Sequence, residues 1–369
     1  MLVSFLVLGG FQNNIKDKLF TFSGHIQIKK YTFSSDYDEI PITLTEQERE
    51  GLLDNSGIRH IQSYALKPGL INRNKEVFGL LFKGVGGDYD TTAIQDYMIS
   101  GRFPNFQTDQ IFSSEVLISK KMADQMQVDV GDALPTVFIM DPPKNGRLVV
   151  TGIFNSGLAD FDEQVVIGDI EMIRVLNNWA ENNVGGYEVF VNNVDQIVEV
   201  DGAIQEIIAP DHMTERVDER FKHVFDWLGL LSQNVFILIG LILFVACFNM
   251  ISVLFILIME RTPMIGVFKA LGAGNVLLRR VFAMNGLRLV IRGLLVGNCI
   301  AFTFGYLQYQ FKLIPLDAAT YYMSVVPIHL KLMHLFLLNL GALIVCWSAL
   351  IIPSYLISKI TPIKAIRFE

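Results

Sequence analysis

Glu260, Arg261 and Lys269 bracket an apolar set, Met264, Ile265, Gly266, Val267, Phe268 and Leu271. The i, i+3, i+4, i+7 spacing gathers the large members on one side of a helix of about three turns. Pro263 suits its first turn and Gly272 its end. Such residues form and break no covalent bonds. Their chemistry is docking: an apolar ridge with charged ends fits a groove on another protein, or rests on anionic lipid as an ordinary connector.

Other reactive residue types are scattered rather than gathered. No Gly-x-x-x-x-Gly-Lys-Ser/Thr loop occurs, and the glycines between Gly84 and Gly87 lack the following lysine that would cradle a phosphate. The histidines His25, His60, His212, His223, His329 and His334 show no metal-ligand spacing, so no metal is expected. His329 and His334 are five apart and point to different helix faces, as interface histidines do. Carboxylates are abundant in the first part of the chain, where a solvated acidic face is the plain account. That charge disfavours nucleic acid as a partner. Cys247, Cys299 and Cys346 all fall in apolar tracts, so no disulfide framework is available to the rest.

The elements that must carry these residues follow from composition. Residues 227–369 hold 11 of the 30 basic and 3 of the 37 acidic side chains, giving a net charge near +8 there and near −15 in residues 1–226. An acidic soluble region therefore precedes a membrane region with basic edges. Residues 235–259 are 25 in number with nothing ionisable among them, enough at 1.5 Å per residue to cross a hydrocarbon core of roughly 30 Å. Further apolar segments lie at about 289–309 and 335–357. Arg261, Lys269, Arg279 and Arg280 in the connector, and Lys359, Lys364 and Arg367 in the tail, place both on the cytoplasmic side. The acidic region and a loop rich in tyrosine (Tyr306, Tyr309, Tyr321, Tyr322) then lie on the other side. Residues 1–11 are apolar but span only about 17 Å as helix, and they lack the basic start and small-residue cleavage site of a signal peptide. They are expected to be the remnant of a first membrane helix whose upstream half is missing.

Within the acidic region, residues 24–29 alternate like a half-buried strand, and Thr45 with Glu48 forms a capping box. Strands are predicted at 58–65, 77–85, 115–118, 148–154, 164–167 and 187–191, and helices at 119–126, 170–179 and 194–208. The sum is an α+β domain of two subdomains. Residues 221–232 keep helical spacing without a break before Val235, so the second membrane helix is expected to project outward as a stalk. Its stripe Leu228, Leu231, Val235 and Leu238 either lines a path for an acyl chain or simply packs against a neighbouring helix. Pro142, Pro143, Lys144 and Arg147 stiffen a connection between two strands, plainly a surface hairpin tip. Arg288 and Arg292, one turn apart, either snorkel to the headgroups or mark a functional charge in the membrane. Asn249 and Asn298 are expected to hydrogen-bond across helices.

Four stretches resemble the permease subunits of lipoprotein-releasing (Lol) ABC transporters, within the wider MacB-like and FtsX-like permease family. They are LGGFQNNIKDKLFTFSGHIQI, SKKMADQMQVDVGDAL, FNMISVLFILIMERTPMIGVFKALGA and FKLIPLDAATYYMSVVPIHL. Arg288 and Arg292 depart from the family's usual apolar residues. The resemblance implies an α-helical membrane domain, a four-helix permease with its first helix truncated here, and an inserted α+β extracytoplasmic domain. The implied division is a helix remnant at 1–11, a periplasmic domain at 12–227, stalk and second helix at 228–259, and a cytoplasmic coupling region at 260–280. A third helix follows at 281–309, then a periplasmic loop at 310–334, a fourth helix at 335–358 and a cytoplasmic tail at 359–369. It further implies a non-enzymatic subunit of the bacterial inner membrane, without cofactor of its own. ATP and Mg would be bound by a cytoplasmic ABC ATPase dimer docked on the segment Glu260 to Leu271. The other implied partners are a second permease copy or homologue, membrane lipid, a lipoprotein substrate and a periplasmic lipoprotein carrier, for which the loop at Pro142 to Arg147 could serve as a hook. A MacB-like exporter of peptides or drugs and an FtsX-like signalling scaffold controlling cell-wall hydrolases are the rival readings.

Overall fold

The computed structural model describes residues 1–31, 39–73, 75–106, 111–316, 321, 323, 325–329, 332–351 and 353. Basic tail residues Lys359, Lys364 and Arg367, Tyr322, the end of the expected fourth helix and the side chain of His334 lie outside them. The chain forms two compact units: residues 15–225 with 316–324, and residues 1–14 with 226–315 and 325–369.

The first unit is built on one mixed sheet. In chain order it contains the end of α1 (Leu2–Ser23), β1 (Ile26–Lys30), α2 (Glu46–Leu53), β2 (Ile58–Arg73), β3 (Glu76–Val85), α3 (Thr91–Gln95), β4 (Met98–Gly101) and β5 (Glu115–Ser119). There follow α4 (Lys120–Met126), β6 (Ala133–Phe138), β7 (Lys144–Phe154), α5 (Ala159–Gln164), β8 (Val165–Asp169), α6 (Ile170–Asn177), β9 (Gly186–Val191), α7 (Ile197–Ile207), β10 (His212–Arg216) and α8 (Val217–Arg220). Side chains start these helices where the sequence says they should. Thr45 and Glu48 close a reciprocal capping box on α2, Ser119 accepts from Met122 N to cap α4, and Asp169 does the same for Glu171 N on α6.

The strand order is β10-β1-β9-β2-β3-β8-β5-β7-β4, and β6 pairs with both β2 and β7. Pairings β2–β3, β3–β8, β8–β5, β5–β7, β7–β6 and β6–β2 therefore close a ring, in which β3/β8 and β5/β7 run parallel. Phe82 and Phe138 are fully buried and meet edge to face at 5.8 Å between centroids. Room for them comes from Gly168 and Gly146: a Cβ at either would lie within 2.5 Å of Phe82 Cζ or 2.8 Å of Phe138 Cε2. On one side β4 adds to β7, and on the other β9, β1 and β10 extend from β2, with α2 packed on β2 and α7 on β10. Because the 16-residue β2 belongs to both the ring and this extension, the two subdomains expected from the sequence are not separate units. That strand is twice the length predicted, since it continues through Pro68 and Gly69, which stand in register with Leu81 and Leu80.

In the second unit α9 (Lys222–Glu260) and α11 (Asn275–Phe311) are long and apolar enough to cross a membrane. Between them lies α10 (Thr262–Ala270), and α12 (Leu332–Ala349) carries a shorter apolar stretch, Leu335–Ala349. Phe236, Ile237, Leu241, Phe244 and Phe248 of α9 are each more than half exposed. So continuous an apolar surface suits lipid as solvent and not water. Two small cores hold the helices together, one around Leu2, Leu6 and Ala301, the other around Met250, Leu254, Ile258, Ile265, Leu278, Phe282 and Leu350.

Candidate functional site

α10 divides its apolar residues between two faces. Ile265 is fully buried in the core with Leu254 and Leu278, and Gly266 is buried beside it. Met264, Val267, Phe268 and Leu271 are 43%, 51%, 45% and 79% exposed. These four hold the i, i+3, i+4, i+7 positions themselves, so Ile265 anchors the helix and lies off the exposed apolar ridge. Glu260 and Arg261 are exposed at the preceding turn, and Lys269 is half-buried. Pro263 sits in the first turn. At the other end Gly272 adopts φ +94°, a conformation costly for any residue with a Cβ, and it lets Ala273 N reach Phe268 O at 2.9 Å.

The stripe on α9 is split in the same way. Leu228 is 2% exposed, Leu231 and Val235 are half-buried and Leu238 is 47% exposed. The cover is α1: Gln12 Nε2 donates to Leu228 O at 3.2 Å and Ser232 Oγ at 2.6 Å, Phe11 meets Trp227 at 5.6 Å and Phe5 meets Phe236 at 5.8 Å. Helix packing accounts for Leu228, and only the Leu238 end is open. Elsewhere in this unit Asn298 Nδ2 donates to Asn339 Oδ1 at 2.9 Å, a hydrogen bond between α11 and α12.

Pro142 and Pro143 stand exposed at the turn between β6 and β7, and Arg147 is exposed on β7 opposite Pro135. Lys144 is different: its Nζ donates to Leu176 O at 2.8 Å, tying the base of the hairpin to the end of α6. It is a structural cap rather than a free cation.

A polar cluster that the sequence reading did not identify lies inside the sheet domain. Lys83 on β3 and Glu188 on β9 are 5% and 1% exposed at their side chains and form an ion pair of 2.6 Å. Lys83 Nζ also donates to Phe22 O at 2.7 Å, in the last turn of α1. Gln62 Nε2 donates to Glu188 Oε2 at 2.9 Å, and Gln27 Nε2 donates to Ser23 O at 3.0 Å. Gln27 Oε1 in turn accepts from Tyr64 OH at 3.2 Å and from Arg220 Nη1. A cavity of about 190 Å³ adjoins the group, walled by Phe22, Phe161 and Phe221. The network thus fastens the end of α1 and the helix preceding α9 to the same strands. The available signal was a lysine within the apolar run FGLLFKGV and a glutamate within YEVFV.

Nearby, His25 is 6% exposed and stacked on Phe20 at 4.2 Å, with no hydrogen-bond partner for Nδ1 among the described residues. Burial, with the charge of Arg59 added, lowers its pKa to about 4. Among the described residues no group of His, Cys, Asp or Glu is placed to hold a metal ion.

Residues 236–362 match the family described as FtsX-like permease C-terminal. The chain is 21% identical to the lipoprotein-releasing system transmembrane protein LolC of Xylella fastidiosa (strain Temecula1 / ATCC 700964) over 396 residues, covering 100% of this chain and 90% of that protein. It is 20% identical to LolC of Neisseria meningitidis serogroup B (100% and 91% covered) and 18% identical to LolE of Haemophilus influenzae (99% and 90%). Among solved structures, the periplasmic region of MacB from Actinobacillus actinomycetemcomitans aligns with 56% of this chain and 95% of that one, at 13% identity and a TM-score of 0.37, a likeness too loose to carry an argument. A membrane-length helix, an anchored amphipathic turn and a second long helix lie largely within the segment that matches the FtsX-like permease C-terminal family, and the chain is similar from end to end to the transmembrane proteins of lipoprotein-releasing systems.

Proposed function

We propose that the chain is the permease half of an ABC machine of the bacterial inner membrane, which draws lipoproteins from the outer leaflet and passes them to a periplasmic carrier. Four helices, α1, α9, α11 and α12, form its membrane domain, and the sheet domain stands in the periplasm. Energy comes from a cytoplasmic ABC ATPase dimer that binds ATP and Mg, while a second permease, identical or homologous, completes the path. The observation that carries the reading is the exposed ridge Met264, Val267, Phe268 and Leu271 on a helix pinned by Ile265, in a chain aligned over its whole length with LolC. A ridge fixed at its back transmits a push, whereas a loose connector would absorb it.

The test is reconstitution of the full chain with its ATPase and a second permease in vesicles loaded with a triacylated lipoprotein. ATP should release the lipoprotein into solution only when a soluble carrier is present. Export of peptides or drugs without lipoprotein release would transfer the chain to the MacB-like reading. Activation of a cell-wall hydrolase with no release of either would transfer it to the FtsX-like scaffold.

A further inference from the structure

Arg288 and Arg292 lie deep in the membrane unit, and its packing gives their level. Met250, Leu254 and Ile258 on α9 share one core with Leu278 and Phe282 on α11. Gly286 continues the seam, since a Cβ there would come within 3.3 Å of Met250 Cε. Toward the other end Phe5 meets Phe236, while Leu6 packs in a core with Ala301. The two helices therefore run antiparallel, with Gly286 level with Met250. Counting outward from that pair, Arg288 is level with Phe248 and Arg292 with Phe244. Phe244 is ten residues from Asn234 and sixteen from Glu260, or about 15 and 24 Å along the helix. Both residues thus stand on α11 beside the middle of a span with nothing ionisable in it. That depth makes snorkelling to the headgroups, the plainer reading of these residues, a poor account of them.

Both side chains are exposed, and neither has an ion-pair or hydrogen-bond partner among the described residues. One turn apart, they share a face with exposed Val281, Met284, Ile291 and Leu295. Charge at this depth is expensive and calls for an anion. A second copy of this chain brings none, because Glu260 is the only acidic residue in 227–316 and 332–351. We propose that Arg288 and Arg292 form a binding site for the phosphodiester headgroup of an anionic phospholipid, drawn inward beside α11 with its acyl chains along the apolar flank. Two guanidiniums offer bidentate donors to a phosphate, and a lipid supplies anion and apolar tail together, which the mixed face requires.

The proposal rests on the chain spanning a membrane and not on its cargo, so the experiment reads bound lipid. The full chain is placed in nanodiscs of phosphatidylcholine with a minority of phosphatidylglycerol, and retained lipid is counted by native mass spectrometry. The wild type should retain phosphatidylglycerol in preference to phosphatidylcholine. Arg288→Gln/Arg292→Gln should lower that retention about tenfold or more, the loss expected for charge-assisted hydrogen bonds, while Arg280→Gln leaves it unchanged. If the Gln pair fails to insert, Arg288→Lys/Arg292→Lys keeps the charges but loses the bidentate fork, and weaker retention by it supports the site. Equal retention of both lipids by the wild type, undiminished retention by the variants, or a protein crosslink from Arg292→Cys with no lipid retained each overturns the proposal.

Discussion

Lys83 Nζ and Glu188 Oε1 lie 2.6 Å apart in the interior of the sheet domain, and the same ammonium holds the carbonyl of Phe22 at 2.7 Å. A buried ion pair carries a large desolvation cost that only its partners offset. Removing one member leaves an uncompensated charge; removing both leaves an apolar contact. Lys83→Met should therefore destabilise the domain by about 3–5 kcal/mol, and Lys83→Met/Glu188→Leu by much less. Denaturant unfolding of the full chain, followed by hydrogen exchange in β1 and β9, measures both. Equal losses in the single and double variants would show that the pair contributes through packing alone.

His25 gives the domain a pH dependence of known sign. Its folded pKa of about 4 lies below the ordinary histidine value of 6.5, so the fold prefers the neutral ring. The stabilisation is complete above pH 6.5, and it is lost as pH falls from 6.5 to 4, because the unfolded chain takes up the proton first. The loss from this residue is on the order of 3 kcal/mol. Stability of His25→Leu, measured across that window, should fall less steeply than that of the wild type. Parallel curves would remove His25 as the cause.

Much of this architecture is legible in the chain because local signals and tertiary packing agree. The Thr45/Glu48 box, the helical spacing of 119–126 and the apolar run 235–259 each announce an element that forms. The failures are places where distant partners decide. β10 (His212–Arg216) has no alternating pattern and exists because β1 pairs with it throughout; β6 carries Pro135, which pairs opposite Arg147. The apolar residues of α10 were legible as a set but not as faces, since spacing alone does not say which side of α10 meets Leu254 and Leu278. Lys83 and Glu188 passed unnoticed because two charges far apart in sequence look solvated until β2 is seen to hold β3 and β9 on its two sides.

The division of α10 predicts opposite phenotypes for neighbouring residues. Phe268→Asp places a charge on the exposed ridge, so the chain should insert and fold normally while ATPase copurification and stimulation collapse. Ile265→Asp buries an unpaired carboxylate against Leu254 and Phe282, at a cost of several kcal/mol, and should lower protein yield and protease resistance before any docking is tested. A Phe268→Asp variant with unaltered ATPase binding would exclude the ridge as the docking surface.

Topology is testable with single cysteines in a chain lacking Cys247, Cys299 and Cys346. Asn275 and Asn145 are both exposed, the first at the start of α11 and the second on β7. With the basic connector in the cytoplasm, Asn145→Cys should react with an impermeant thiol reagent in intact spheroplasts, and Asn275→Cys only after lysis. The reverse pattern inverts the orientation and with it the periplasmic placement of the sheet domain.

The proposed handling of a lipid anchor predicts where crosslinks form. A triacylated anchor loses about 0.8 kcal/mol for each CH₂ that leaves the bilayer, so a permease that extracts it must offer apolar surface where the helix emerges. Of the four stripe residues, Leu228 is covered by α1 and its hydrogen bond from Gln12, whereas Leu238 is 47% exposed. A photo-crosslinker at Leu238 should capture lipoprotein when ATP is absent and lose it when ATP and carrier are added. The same probe at Leu228 should report α1 instead. Val235 and Leu231 are half-buried and should fall between the two. Capture at Leu228 equal to that at Leu238 would mean that α1 moves aside to admit the anchor, and lipoprotein capture at neither position would remove this face of α9 from the path.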